Sequence, residues 1–263
     1  MRRLYIILAC LIFCITTYED VSASCQKRAI SDIKDGELWH KSFFSVELPE
    51  FQRQALEVLR QPLEDRHITV SRISGTVDYP CNFMFVASMN PCPCGYYNHP
   101  TKACVCTPGQ ISRYLNKISG PLLDRIDLQI EIAPLSFEEL SKAAPGESSA
   151  QIRERVIRAR HIQEQRYKDH PGIHCNAQMT EKLLNQYCVL DEPTRELLRQ
   201  AMARLNLSAR AYSRNLKVAR TIADLEGKEN IEMHHVAEAV GYRSLDRGDW
   251  AERSKYRGAI SYS

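Results

Sequence analysis

FMFVASMNPCPCGYYNHPTKACVCTPGQISRYLNKISGPLLDRID, running from Phe83 to Asp127, opens with a short apolar run, Phe83–Ala87, that reads as a buried strand. The run breaks at Ser88-Met89-Asn90-Pro91, which leaves a polar amide just past the strand end. Four cysteines follow as two pairs, Cys92/Cys94 and Cys104/Cys106, with nine residues between them. Two thiolates one residue apart reach one metal from a tight turn, and a second pair completes a tetrahedral sulfur shell. Zinc suits such a shell, and a closed four-thiolate site is structural because no position remains for water. Pro91, Pro93 and Gly95 supply the turn chemistry. Two disulfides, or four free thiols, are the other readings of this spacing, and export would favour the disulfides. Thr107–Ile118 then reads as a helix with Pro108 near its start. Beyond it Ile126, Leu128, Ile130 and Ile132 alternate with polar residues, as in a strand buried on one face.

Upstream, Pro49–Pro62 carries Phe51, Ala55, Leu56, Val58 and Leu59 at helical spacing. Ile68–Ile73 and Thr76–Tyr79 alternate around Ser74-Gly75, the pattern of a hairpin. Downstream, a proline-glycine break within 134–146 marks a domain boundary. Ser148 with Gln151 forms a capping-box pattern ahead of a charged helix, Ser149–Tyr167. Met179–Cys188, Asp191–Leu205, Ser208–Glu226 and Met233–Val240 read as four further helices, with Asp191 and Ser208 as N-caps and Gly227 as a terminator. On the third of these, Arg210, Arg214 and Lys217 share one basic face. With 263 residues the chain has room for one large domain or two small ones. Its 44% hydrophobic and 25% charged content is that of a globular protein. The net charge of +3 neither demands nor excludes nucleic acid. Of the ten cysteines, the six outside the paired cluster (Cys10, Cys14, Cys25, Cys81, Cys175, Cys188) have no metal-like spacing.

VASMNPCPCGYYNHPTKACVCTP followed by ISGPLLDRIDL resembles the magnesium-chelatase-type AAA+ ATPases, in particular their ComM branch. The likeness continues through LPEFQRQALEVLRQPLEDRHITVSRISGTV upstream and through PGESSAQIRERV, HCNAQMT, LSARAYSRNLKVARTIADLEG and HVAEAVGYRSLDR downstream, roughly from Glu47 to Arg247. The resemblance implies an α/β fold: the C-terminal half of a P-loop AAA+ core, a parallel sheet with a hairpin insertion, followed by a small all-α lid. The expected segments are 1–44, unmatched; 45–146, the partial core with its cysteine loop; 147–247, the helical lid; and 248–263, a polar tail.

The same resemblance assigns roles. Asn90 takes the sensor-1 position, where its amide orients water near a terminal phosphate. Arg125 of GPLLDRID is the arginine finger, which projects into the ATP site of an adjacent subunit. Glu47 matches the glutamate that polarises the attacking water, while Val46 stands where the magnesium-side aspartate belongs, and valine offers a cation no lone pair. Arg210, or alternatively Arg214, is the sensor-2 arginine that closes the lid onto phosphates. Complete relatives are expected to use ATP with Mg2+, to assemble as hexameric rings of like subunits, and to act on DNA as helicase-like motors in recombination and natural transformation. The hairpin residues Arg66, His67 and Arg72 could touch a translocated strand, or could simply be solvated.

Two features depart from that pattern. No GxxxxGK[ST] loop occurs anywhere in the chain, so nothing in it cradles phosphates with backbone N–H groups and a lysine. And Arg2–Ala23 has the charge, the apolar run and the small-residue end of a secretory signal. Because the resembled family handles nucleotides in the cytosol, the expectation is a cytoplasmic, truncated ATPase whose signal-like opening is accidental, inactive by itself and with no membrane partner. A non-catalytic module that docks on a full-length relative, a magnesium-chelatase subunit, and a metal-stabilised exported protein are the rival readings.

Overall fold

A parallel pair of strands frames the first part of the molecule. In the computed structural model, which describes residues 42–45, 47–73, 75–99, 101–132, 141, 146–205 and 207–243, β1 (Ser42–Ser45) pairs with β4 (Met84–Ala87) in the register Ser42↔Met84 to Ser45↔Ala87. Parallel neighbours need a crossover, and here it holds two short helices and a hairpin. A 3-10 turn, Leu48–Glu50, leads to α1 (Arg53–Val58) and α2 (Arg60–Asp65). The periodicity had predicted one helix over 49–62. Instead Phe51 is extended, and the helix is interrupted at Leu59. Pro62 explains the second break: it has no N–H to continue the ladder and fits only in the first turn of a new helix.

Arg66, in the left-handed region at φ 58, ends α2 and turns the chain into the hairpin of β2 (His67–Arg72) and β3 (Gly75–Pro80). These strands pair from His67↔Pro80 to Arg72↔Gly75, around the expected turn. All of β3 is exposed. After β4 and the cysteine loop come α3 (Pro108–Leu115) and α4 (Gly120–Leu123), with Thr107 and Gln110 forming a capping box and Ser119 capping α4. Leu48, Leu56, Ile118, Leu122 and Leu123 form one buried cluster; Cys92, Ile111, Tyr114 and Leu115 form another; Met89 packs against both.

The alternation of Ile126–Ile132 does not become a strand with one apolar face. Among the described residues this stretch makes a single bridge, Gln129↔Arg243. Gln129 is buried and Ile132 is 68% exposed, the reverse of the expected pattern. The cause is polar: the Arg243 guanidinium, 1% exposed, donates to the Ile126 carbonyl at 2.7 Å, and Gln129 donates to the Leu123 carbonyl. A side chain thus takes the Ile126 acceptor that a ladder would have used.

The chain parts into two compact units between Ala133 and Pro134, with Arg243 belonging to the first. The second is helical: α5 (Ser149–Tyr167), α6 (Glu181–Tyr187), α7 (Glu192–Leu205), α8 (Ala209–Glu226) and α9 (Met233–Gly241). Ser148, Thr180 and Ser208 cap helix starts, and Gly227 at φ 72 ends α8 in a conformation that a side chain resists. Around α8 pack α5, α6 and α9, and α7 packs on α9. Ala211, Leu216, Ala219, Ile222 and Ala223 form the buried stripe of α8. Among the described residues no helix is long and apolar enough to cross a membrane. The signal-like segment Arg2–Ala23, Val46 and the tail 248–263 lie outside the described residues.

Candidate functional site

β1 and β4 end side by side, and each is followed within three residues by a polar side chain that the sequence reading singled out. The Asn90 amide donates to the Glu47 carboxylate at 2.9 Å. A backbone bond from Leu48 N–H to the Ser88 carbonyl, 2.9 Å, ties the two strand ends together. Glu47 itself sits at φ 58, ψ 57. A non-glycine residue there is strained, and such strain persists where the surroundings hold it for a purpose. In parallel sheets ligands bind in the crevice beyond the carboxyl ends of the strands, which is where this pair lies.

Sequence reasoning missed a third member, Tyr114. Its phenol points from α3 at the other Glu47 oxygen, 3.5 Å away. Burial first, and then the Glu47 charge, push this phenol up to about 12. It therefore stays a neutral donor to the carboxylate. The signal was present in the helical periodicity, which puts Tyr114 on the inner face with Ile111 and Leu115; a buried tyrosine hydroxyl needs a partner.

The four cysteine sulfurs all lie within 4.8 Å of one another, and all are free thiols. Cys92 is 3.3 Å from Cys94 and 3.7 Å from Cys104, and Cys94 is 3.5 Å from Cys104. These separations are far from the roughly 2.05 Å of a disulfide. They approach the edge of a tetrahedron with metal–sulfur bonds of about 2.3 Å, roughly 3.8 Å. The loop is shaped for the cluster: Gly95 (φ 80) and Asn98 (φ 61) turn the chain, and the Tyr97 N–H donates to Cys92 Sγ. The thiols differ electrostatically. A backbone N–H from Tyr96 leads the effects that bring Cys94 down to about 6. At Cys104 a backbone N–H from Cys106 favours ionisation, but desolvation and the neighbouring Cys94 and Cys92 outweigh it and push the thiol up to about 12. A thiolate thus forms readily at Cys94, while Cys104 and Cys106 resist ionisation unless a cation lies among them. The cluster is fastened to the strand-end pair through shared packing: Met89 and the other cysteines pack against the buried cluster of Cys92, Tyr114 and Leu115, and Gly95 lies beside the side-chain amide oxygen Oδ1 of Asn90.

Arg125 is folded onto its own unit. Its Nε lies 3.2 Å from Glu64 and its Nη1 donates to the Pro121 carbonyl at 2.7 Å, leaving the side chain 10% exposed. Glu64, on α2, was not foreseen as its partner; the neighbouring Asp124 faces Arg243 instead. Arg210 is exposed and Arg214 half-buried in the first half of α8, in the helical unit. That helix is pinned by a buried network. Asp224 takes two bonds from Arg166 (2.7 and 2.6 Å), one from Arg220 (3.0 Å) and one from Asn176 (2.8 Å). A second group with metal-ligand chemistry, Glu226, His234 and His235, lies after it. His235 Nδ1 accepts the Glu232 N–H, so its proton sits on Nε2 and points at Glu226, 3.1 Å away. His235 is thus part of a hydrogen-bonded cap on α9 and has no ring lone pair left for an ion.

A carboxylate and an amide at the ends of adjacent parallel strands, followed by an all-helical unit, define the C-terminal half of an AAA+-type α/β core with its helical lid. Comparison with known families matches residues 29–140 to the family described as "Magnesium chelatase, subunit ChlI" and residues 146–243 to "Magnesium chelatase, subunit ChlI C-terminal". The chain belongs to the magnesium-chelatase ChlI family. It is 44% identical over 205 residues to the competence protein ComM of Haemophilus influenzae. It is also 44% identical over 207 residues to the protein YifB of Salmonella typhimurium and to that of Escherichia coli. Each of these alignments covers 78% of this chain and 39% of the relative, so the chain spans about two fifths of the length of the proteins it matches.

Proposed function

We propose that this chain is part of a ComM-like AAA+ ATPase, an ATP-driven motor that works on DNA as a ring of like subunits, and that the 263 residues alone neither bind ATP tightly nor hydrolyse it. The observation that carries the reading is the 2.9 Å contact of Asn90 with Glu47 beyond two neighbouring parallel strands. In this reading Glu47 polarises the attacking water, and Asn90 orients that water and holds the carboxylate until substrate arrives. Tyr114 keeps the second carboxylate oxygen in place. ATP with Mg2+ supplies the phosphoryl group to be transferred. Arg125 acts as the finger in a neighbouring subunit's site after leaving Glu64, and Arg210, with Arg214 as the alternative, is the lid arginine. Sensor, finger and lid residues only tune charge around phosphates that a P-loop must hold. The cysteine loop holds a structural Zn2+: four sulfurs within 4.8 Å of one another, with Cys104 and Cys106 kept protonated by desolvation and by their neighbours, are a donor set that a divalent cation completes. The cluster favours the ComM branch over a magnesium-chelatase subunit. The protein's working place is the cytoplasm.

Two measurements test this. Zinc-replete, purified chain is assayed for magnesium-dependent ATP turnover against the Glu47→Gln variant, and the expected result is none above background. Turnover that the variant abolishes would overturn the inactivity. The chain is then mixed with a full-length relative. Changed turnover that depends on Arg125 supports a second reading, a module that docks and donates Arg125 in trans, which its present pairing with Glu64 would keep in reserve.

A further inference from the structure

We propose that the outer face of α3, together with Arg53, forms a groove for the phosphates of a nucleic-acid backbone. The proposal rests on the reading of the chain as part of a DNA-acting motor and gives that reading a place on the molecule. Gly109, Ser112, Arg113, Asn116 and Lys117 recur at helical spacing, opposite the buried Ile111, Tyr114 and Leu115. With Arg53, which starts α1, they line a groove of about 480 Å³. The lining holds three cations, no acid and no large apolar side chain.

Ordinary fold energetics accounts for part of this charge. Arg113 and Lys117 lie at the C-terminal end of α3, where the helix dipole favours cations. Arg53 is the opposite case. It occupies the first position of α1, where a cation meets the positive end of the helix. Glu57, one turn along that helix, pairs with Arg60 at 2.7 Å and feels the Arg53 charge only as a lesser effect. Neither Arg113 nor Lys117 is in an ion pair with a described residue. Cations interleaved with the hydroxyl of Ser112 and the amide of Asn116 complement a strand that presents one charge per phosphate with neutral sugars between. A compact nucleotide is held differently, by consecutive free backbone N–H groups. Here the Thr107–Gln110 capping box uses the N–H groups of Thr107 and Gln110, and Pro108 has none, so no consecutive free N–H groups remain at the start of α3. A lipid surface would require apolar side chains that the lining lacks.

The test uses the full chain and a fluorescein-labelled single-stranded oligonucleotide, with anisotropy followed across a potassium chloride series. Arg113→Gln/Lys117→Gln should weaken binding roughly tenfold at low salt and reduce the slope of log affinity against log salt by about 1.4, two contacts at about 0.7 each. A control pair with the same charge change, Arg158→Gln/Arg160→Gln on the exposed side of α5, should leave the slope near that of the parent. If the parent binds and the groove variant, with unchanged far-UV dichroism, binds equally well, the groove is wrong. Equal losses in the two variants would overturn it too, since net charge would suffice. Displacement of the strand by micromolar ATP would reassign the groove to a free nucleotide. If the parent binds no strand even at low salt, the DNA reading itself falls.

Discussion

Asp224 is the point at which the helical unit is most easily broken. Its carboxylate is fully buried and shared by two guanidinium groups, Arg220 at 3% and Arg166 at 12% exposure. Arg220 is in turn fixed by the carbonyls of Lys228 and Glu229, which closes the chain behind α8. Asp224→Ala leaves both cations buried with their counter-charge gone. Removing one partner of a buried pair costs about 3–5 kcal/mol, a large share of the 5–15 kcal/mol that holds a typical domain together. For a unit of this size each kcal/mol moves the melting midpoint by about 4–8 °C, so the helical unit should melt well over 10 °C lower. Far-UV dichroism at the helix band follows it directly, because nearly all long helices belong to that unit. Asp224→Asn, which keeps an acceptor but no charge, should lose less. Asp224→Ala/Arg220→Met should lose less than the sum of its single changes, since the second substitution removes a cation that the first had orphaned. A melt of Asp224→Ala within about 1 kcal/mol of the parent would refute the claim that this network pins the helix carrying Arg210 and Arg214.

The strained backbone at Glu47 gives another test: Glu47→Asn, a residue that tolerates the left-handed region, should stabilise the first unit by about 0.5–1 kcal/mol in urea unfolding. A loss instead would mean that the carboxylate contact with Asn90 outweighs the backbone strain. At alkaline pH the buried phenol of Tyr167, raised first by desolvation, favours the folded state only while it is protonated. Its contribution is therefore complete below about pH 10 and lost as pH climbs through the higher folded-state value; a Tyr167→Phe variant should show a flatter decline in stability above that point. Tyr114→Phe should leave the fold intact and free one Glu47 oxygen, which carbon NMR of the labelled carboxylate would detect as a changed shift, whereas an unchanged signal would remove Tyr114 from the site.

Much of this was legible because local chemistry and tertiary structure agree. The capping box at Ser148, the terminating Gly227 and the hairpin pairing of β2 with β3 are local signals, and each appears where the residues place it. The paired spacing alone was enough to bring four sulfurs together. What could not be read depends on contacts distant in sequence. Gln129 is buried and Ile132 exposed because Arg243, more than a hundred residues away, takes the Ile126 carbonyl. Glu64 meets Arg125 only after α2 folds against the core that holds α4, and Arg53 and Arg113 line one groove although they lie on different helices. The asparagine and glutamate of the strand ends were readable as candidates, but Tyr114 was hidden as one more buried aromatic until the phenol's direction was known.

The claim on which the rest turns is that the four thiols enclose one metal ion and so brace Met89, Tyr114 and the strand-end pair. The most direct measurement is metal analysis of reduced, folded chain combined with X-ray absorption at the zinc edge. The account predicts one zinc per chain in a shell of four sulfurs at about 2.3 Å, with the metal lost in Cys94→Ser. Folded, reduced protein without stoichiometric metal, or a zinc bound by nitrogen and oxygen, would contradict it.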